Sequence, residues 1–368
     1  MNNHKLRQSI LLISAVVVLA FIILFITTIG FKKDNSHKIG LIITGQTTDN
    51  GWNGVHYNGV VSACEKLGVK VIVKENVEEK SGRCAEAIKE LAKEKCEMII
   101  LTSYSYPIEA ISVIESYPDI AFYAISSEYV SDNLTSYFGR MYQARYLSGI
   151  IAGMQTETGA IGYVAAESNS EVNRGINAFT LGVKSVNPDA TVYVSFTDSW
   201  DNEEREIIAA EKLIKEKSTD VMTYHQNQHY VAKTADENGV YSIGYNETAE
   251  GLSDKYLTAA VWDWESLYFQ IIREFVQGQP NSVERRWFSI DTGVVGLSEI
   301  SPVVSEETRQ KVENAKNNLY ISCDVFSGKI YDNEGVLRCD ENETLSDETL
   351  LRDMNWFVEG VEIYGEES

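Results

Sequence analysis

The chain has 368 residues, of which 44% are hydrophobic and 23% charged, so it can bury a real core. Thirty-two Lys and Arg face 54 Asp and Glu, giving a formal net charge of −22 at pH 7. A surface this acidic repels phosphate backbones and excludes nucleic-acid polymers as partners, and the length suits two lobes better than one small domain.

Residues 10–30 open with ILLISAVVVLAFIILFITTI, a run without a charge. About twenty helical residues at ~1.5 Å each cross a hydrocarbon core of roughly 30 Å. Lys5 and Arg7 precede the run and hold residues 1–9 in the cytoplasm, although Lys32 and Lys33 follow it. No small-x-small cleavage site and no lipid-accepting Cys accompanies it. The expectation is an uncleaved transmembrane signal anchor, then a polar linker over 31–37, with everything beyond it outside the cytoplasm.

From residue 38 strands and helices alternate. KIGLIIT, VKVIVKE, CEMIILTS and DIAFYAIS read as buried strands. Between them lie helices over NGVHYNGVVSACEKLG, over SGRCAEAIKELAKEK with Ser81 as its N-cap, and over PIEAISVIESYP opened by Pro107. A long helix, MYQARYLSGIIAGMQTET, restarts the pattern. Strands GAIGYVAAE, ATVYVSFT, STDVMTYH and VYSIGYN follow, separated by three further helices. This order predicts two doubly wound parallel α/β lobes in series. Lobe I covers about 38–155 and lobe II about 156–250; residues 250–368 return to complete both and hinge them.

Ligands of doubly wound sheets bind beyond the carboxyl ends of the strands. The loops there read GQTTDNGWNGVH, SYSYP, SSEYV, AAESNS, SFTDSWDN, TYHQNQH and IGYNE, and WDWESLY follows a later strand, LTAAV. Trp52, Trp200, Trp262 and Trp264 fall at these strand ends, and Trp is costly to expose. Aromatic faces from several loops suit a flat ligand, while carboxylates and amides orient it. His56, one helical turn after Trp52, either shares that cleft or stands half-exposed on its helix. His225 and Gln226 directly follow a strand and are expected in the cleft.

No GxSxG, HExxH, P-loop or GxGxxG motif follows a strand, so neither catalysis nor a cofactor is expected. His225 and His229 are spaced for a metal but lack a third ligand. The five cysteines, Cys64, Cys84, Cys96, Cys323 and Cys339, contain no CxxC pair. Cys323 and Cys339 flank a turn and would close a disulfide outside the cell; five buried thiols are the equal alternative.

Several segments resemble the basic membrane protein (BMP) family of ABC-transporter solute-binding proteins, over nearly all of residues 38–364. They are TTDNGWNGVHYNG, YFGRMYQARYLSGIIAG, FTDSWDNEEREIIAAEKLI, YHQNQ, IGYN, LTAAVWDWESLYF and the C-terminal GKIYDNEGVLRC and LSDETLLRDMNWFVEGVE. The resemblance implies a type I periplasmic-binding-protein fold, a purine nucleoside or base as ligand, and a permease with its ATPase as partners. By position it places Asp49, Trp52, Asn53 and Tyr104 on the first wall. Trp200, Asp201, His225, Gln226 and Asn227 fall on the second, with Gly244, Tyr245 and Trp264 near the hinge. Asn246 stands where the family expects an acid, Asp263 where it expects Asn, and the loop after Tyr224 lacks a closing Asp. A membrane-anchored sensor and a sugar-like ligand are the alternatives.

Overall fold

The computed structural model describes residues 37–49, 51–249, 251–279, 285–321 and 324–365. The anchor expected over 10–30 lies outside them, and among the described residues no helix is long and apolar enough to cross a membrane. Two sheets carry the fold, and a short antiparallel pair, β13 (Ile330–Tyr331) with β14 (Leu337–Cys339), forms a third.

The first sheet contains β1 (Lys38–Ile42), β2 (Lys70–Lys74), β3 (Met98–Leu101), β4 (Ala121–Ile125), β5 (Leu134–Gly139) and β11 (Arg285–Phe288). Their order is β11-β5-β4-β3-β1-β2, and every pairing is parallel. Its central strands are buried along their length because helices cover both faces, and their sequences are accordingly continuous apolar runs. The helices are α1 (Trp52–Leu67), α2 (Arg83–Lys93) and α3 (Ser105–Glu115), joined by α8 (Trp264–Val276), which packs on α1. In α2, Cys84, Ala87, Ile88 and Leu91 form one apolar stripe at helical spacing, and all four are buried.

The second sheet contains β6 (Ala160–Ala165), β7 (Thr191–Phe196), β8 (Val221–His225), β9 (Tyr241–Asn246), β10 (Tyr256–Trp262), β12 (Val295–Leu297) and β15 (Val361–Ile363). Their order is β12-β10-β9-β8-β6-β7-β15, with only β12 antiparallel. Around it lie α4 (Met141–Gln155), α5 (Ser170–Val186), α6 (Glu203–Glu216), α7 (Tyr230–Glu237) and α9 (Glu306–Ile321). α4 packs against α5, β10 and β12, so it sides with the second sheet although the sequence division at 155 grouped it with lobe I.

Among the described residues the chain passes between the two large sheets three times, at 139–141, 262–264 and 288–295. These crossings touch: a Cβ on Gly139 would lie 2.4 Å from Trp262 and 2.8 Å from Val295. Backbone hydrogen bonds from Arg140 N to Phe288 O (2.7 Å) and from Asp263 N to Val294 O (2.8 Å) tie them together.

Three sequence expectations need correction. β5, LTSYFG, is buried throughout yet too rich in Ser, Thr and Gly to stand out as a strand. Ser81 is not the N-cap of α2; Gly82 is, in a left-handed conformation, and the Ser81 hydroxyl accepts from Arg83 N at 3.3 Å one residue farther out. α3 begins at Ser105, two residues before Pro107. Cys64, Cys84 and Cys96 are buried free thiols. Cys339 is buried too, but Cys323 lies outside the described residues, and with it the pairing expected for the two.

Candidate functional site

A cleft of about 1410 Å³ opens between the sheets at the carboxyl ends of their strands. Trp52, the first residue of α1, lines it and is anchored by donating its indole N–H to Thr102 O, just beyond β3, at 2.8 Å. Asn53 also lines it; its Oδ1 accepts from Thr44 Oγ1 and Gly45 N, both at 2.9 Å. Asp49 does not. Its Oδ1 accepts from Gly51 N (3.1 Å) and Gly54 N (2.6 Å), and its Oδ2 from Asn53 Nδ2 (2.6 Å). The carboxylate therefore caps the start of α1, where free N–H groups and the helix dipole favour it. Tyr104 stands on the rim, 45% exposed, donating its hydroxyl to Glu128 Oε1 at 2.8 Å.

His56 is neither in the cleft nor half-exposed. It is fully buried behind the wall, with ring centroids 4.2 Å from Trp52 and 4.1 Å from Trp264. Its Nδ1 lies 2.6 Å from the Tyr268 hydroxyl, and burial pushes its pKa down to about 3. Trp264 is likewise buried, stacked on Trp262 at 4.5 Å and edge-on to Trp52 at 5.6 Å. These rings brace the Trp52 wall at the second crossing.

On the second wall, Trp200 lines the cleft and donates its indole N–H to Glu167 Oε1 at 3.3 Å. Asn227, also on the cleft, donates its backbone N–H to Trp200 O at 2.9 Å. Asp201 is exposed and off the cleft. His225 and Gln226 are buried behind the wall; Gln226 Nε2 donates to Thr197 Oγ1 at 2.7 Å. Burial, then the charges of Arg145 and Arg174, hold the His225 imidazole well below its usual pKa. Tyr245 lines the cleft, with His225 packed at 4.2 Å and the Arg145 guanidinium over its ring at 4.3 Å. Gly244 serves packing: a Cβ there would lie 1.9 Å from the Tyr256 hydroxyl. His229 is occupied by Tyr224, whose hydroxyl lies 2.7 Å from its Nδ1, and among the described residues no group of three His, Cys, Asp or Glu could hold a metal ion.

The cleft thus gathers Trp52, Asn53, Tyr104, Trp200, Asn227 and Tyr245. It also gathers Asn246, which stands where the family resemblance expects an acid, and residues that the sequence reading did not select, among them Phe138, Glu128, Glu167 and Trp287. Trp287 sits on β11 with the guanidinium groups of Arg140 and Arg174 over its ring, 4.3 and 4.9 Å from the centroid. A C-terminal turn closes one end through Asp347, Glu348, Leu351 and Arg352. Arg140 clamps Asp347 with two bonds of 2.8 and 2.6 Å. One stripe of α5 fixes the rest: Ser170 donates to Arg352 O (2.9 Å), Asn173 to Met354 O (3.0 Å), Arg174 to Leu350 O (2.6 Å) and Asn177 to Trp356 O (2.9 Å).

Residues 36–328 match the family described as PnrA-like ABC transporter substrate-binding proteins, Bmp. The chain belongs to this family. Its fold is the two-lobed periplasmic-binding-protein type. A purine-binding protein of Brucella abortus is 30% identical over 335 residues, covering 88% of this chain and 93% of its own. A Haloferax volcanii protein, provisionally named an ABC transporter glucose-binding protein, is 34% identical over 268 residues, 72% of this chain. This chain spans 65% of that protein's length. Among solved structures, a transcriptional activator of the comK gene from Bacillus halodurans superimposes with a TM-score of 0.70 at 23% identity, covering 78% of this chain and 98% of that one.

Proposed function

We propose that this Bmp-family chain is the binding subunit of an ABC importer, acts outside the cytoplasm, and captures a purine base or nucleoside between its lobes. The observation that carries the reading is that Trp52 and Trp200, from opposite sheets, line one cleft together with the carboxamides of Asn53 and Asn227. Aromatic faces suit a planar heterocycle, each contributing about 0.5–1.5 kcal/mol beyond its buried area. A carboxamide such as that of Asn227 supplies in-plane hydrogen bonds, while Asn53 is held in place by Thr44, Gly45 and Asp49. The likeness to the Brucella purine-binding protein supports the same ligand class. Open lobes admit the ligand; contacts from both sheets favour the closed form, which a permease with its ATPase then recognises. Residues 10–30 would hold the chain at the membrane.

Calorimetric titration of the purified protein with adenine, hypoxanthine, adenosine, inosine and glucose tests this. Saturable binding of a purine, accompanied by a rise of several degrees in melting temperature at 100 times Kd, is expected. Binding of glucose with no response to any purine would replace the ligand with a sugar. That second reading is favoured by the Haloferax relative's name and by the fit of Trp faces to pyranose rings.

A further inference from the structure

Two residues of the cleft lining each carry a buried polar atom with no hydrogen-bond partner among the described residues: Asn246 through Oδ1 and Trp287 through Nε1. Thr102 and Ser127, also buried on the lining, are engaged: Thr102 donates to Ile42 O, and the Ser127 hydroxyl to Tyr129 O. Asn246 ends β9 with φ at 70°, in the left-handed region that Asn tolerates better than most residues, and is only 8% exposed. A carboxamide buried this far without a partner costs free energy unless something in the cleft completes it. The group is neutral, and it carries a donor and an acceptor side by side.

From this we infer that Asn246 reads the ligand's edge, resting on the purine reading above: its carboxamide makes paired hydrogen bonds to an adjacent donor and acceptor on a 6-substituted purine. Adenine offers its 6-amino group beside a ring nitrogen, and hypoxanthine its N1–H beside O6. Unsubstituted purine keeps the ring but lacks the pair. The Trp287 N–H, on β11 of the opposite sheet, is left for an acceptor elsewhere on the ligand.

The test is titration of the full chain and two variants with adenine, hypoxanthine and unsubstituted purine. Asn246→Gly removes the carboxamide at a backbone conformation that Gly adopts freely. Asn246→Asp keeps the shape but replaces the amide N–H groups with a charged oxygen. The wild type should prefer the 6-substituted purines to unsubstituted purine on the order of 10- to 100-fold. Asn246→Gly should lose most of that preference: adenine and hypoxanthine forfeit two hydrogen bonds, whereas unsubstituted purine, which offers only its ring-nitrogen acceptor, forfeits at most one and should weaken less. Asn246→Asp should weaken adenine and hypoxanthine by a similar factor. An undiminished preference in Asn246→Gly overturns the role of Asn246 and leaves the purine reading standing. A wild type that binds no purine overturns both.

Discussion

At the scale of single residues, two buried titratable groups set opposite pH trends. His56 is neutral in the fold, with its pKa near 3, against roughly 6.5 when unfolded. The unfolded chain binds the extra proton, so stability is present above about pH 6.5 and is lost as pH falls towards 3, by roughly 1.4 kcal/mol per pH unit. Replacing His56 with Gln should flatten the acid limb of a melting-temperature profile; an unchanged acid limb would contradict this. Glu206 behaves in reverse. Buried, with Oε1 accepting from Asn202 N at 3.2 Å, its carboxyl is pushed up to about 7 by desolvation. Its native form holds the proton, so its contribution is intact below about pH 4.5 and is lost as pH rises through 7. Glu206→Gln should raise stability at pH 8 by on the order of 1–3 kcal/mol and change little at pH 4.5. Neither burial was legible from the sequence. His56 stands beside Trp52 in WNGVH, but adjacency along a helix does not say which residue turns inward. Only the packing of α8 on α1 buries the imidazole behind the Trp wall.

At the scale of elements, the strands were legible wherever they are apolar throughout, as in MIIL and AFYAI, and β5 was not, because its buried Thr and Ser carry no hydrophobic signal. Trp52 and Trp200 could be picked out because each follows a strand end, and Tyr245 because it lies one residue from the end of β9, whereas Trp287 and the C-terminal turn reach the cleft through long-range docking that no local pattern records. That docking rests on the polar stripe of α5. Asn177 bonds both Trp356 O and Val358 N, each at 2.9 Å, and Asn173 bonds Met354 O. Asn177→Leu leaves two backbone groups unpaired in a buried place, at a cost of about 1–3 kcal/mol each. Hydrogen exchange should show residues 350–358 losing protection while β1, β3 and β4 keep theirs; uniform loss across the molecule would mean the turn is not an independent unit.

For the whole molecule, the three crossings meet at Gly139, so the closure proposed above would have to turn on them. A methyl group there meets Trp262 and Val295 well inside contact distance. Overpacking of this kind costs about 1–3 kcal/mol, and the crossings can relieve it only by moving apart. Gly139→Ala should weaken ligand binding at least tenfold and enlarge the radius of gyration of the liganded protein in small-angle scattering, with the circular dichroism of both sheets unchanged. A variant that closes as compactly as the parent would remove Gly139 from the hinge.

Each sheet also receives one of its strands late. Val361–Ile363 pairs with Val192–Val194, and Arg285–Phe288 with Ser136–Gly139. During synthesis, strands β1 to β4 can associate as they emerge, but β7 must wait for Val361–Ile363 before its outer edge is covered. A bare parallel edge is a template for joining other chains. A nascent polypeptide halted just short of β15 would therefore carry a bare strand edge on lobe II, and Val361–Ile363 act as the seal that ends this exposure.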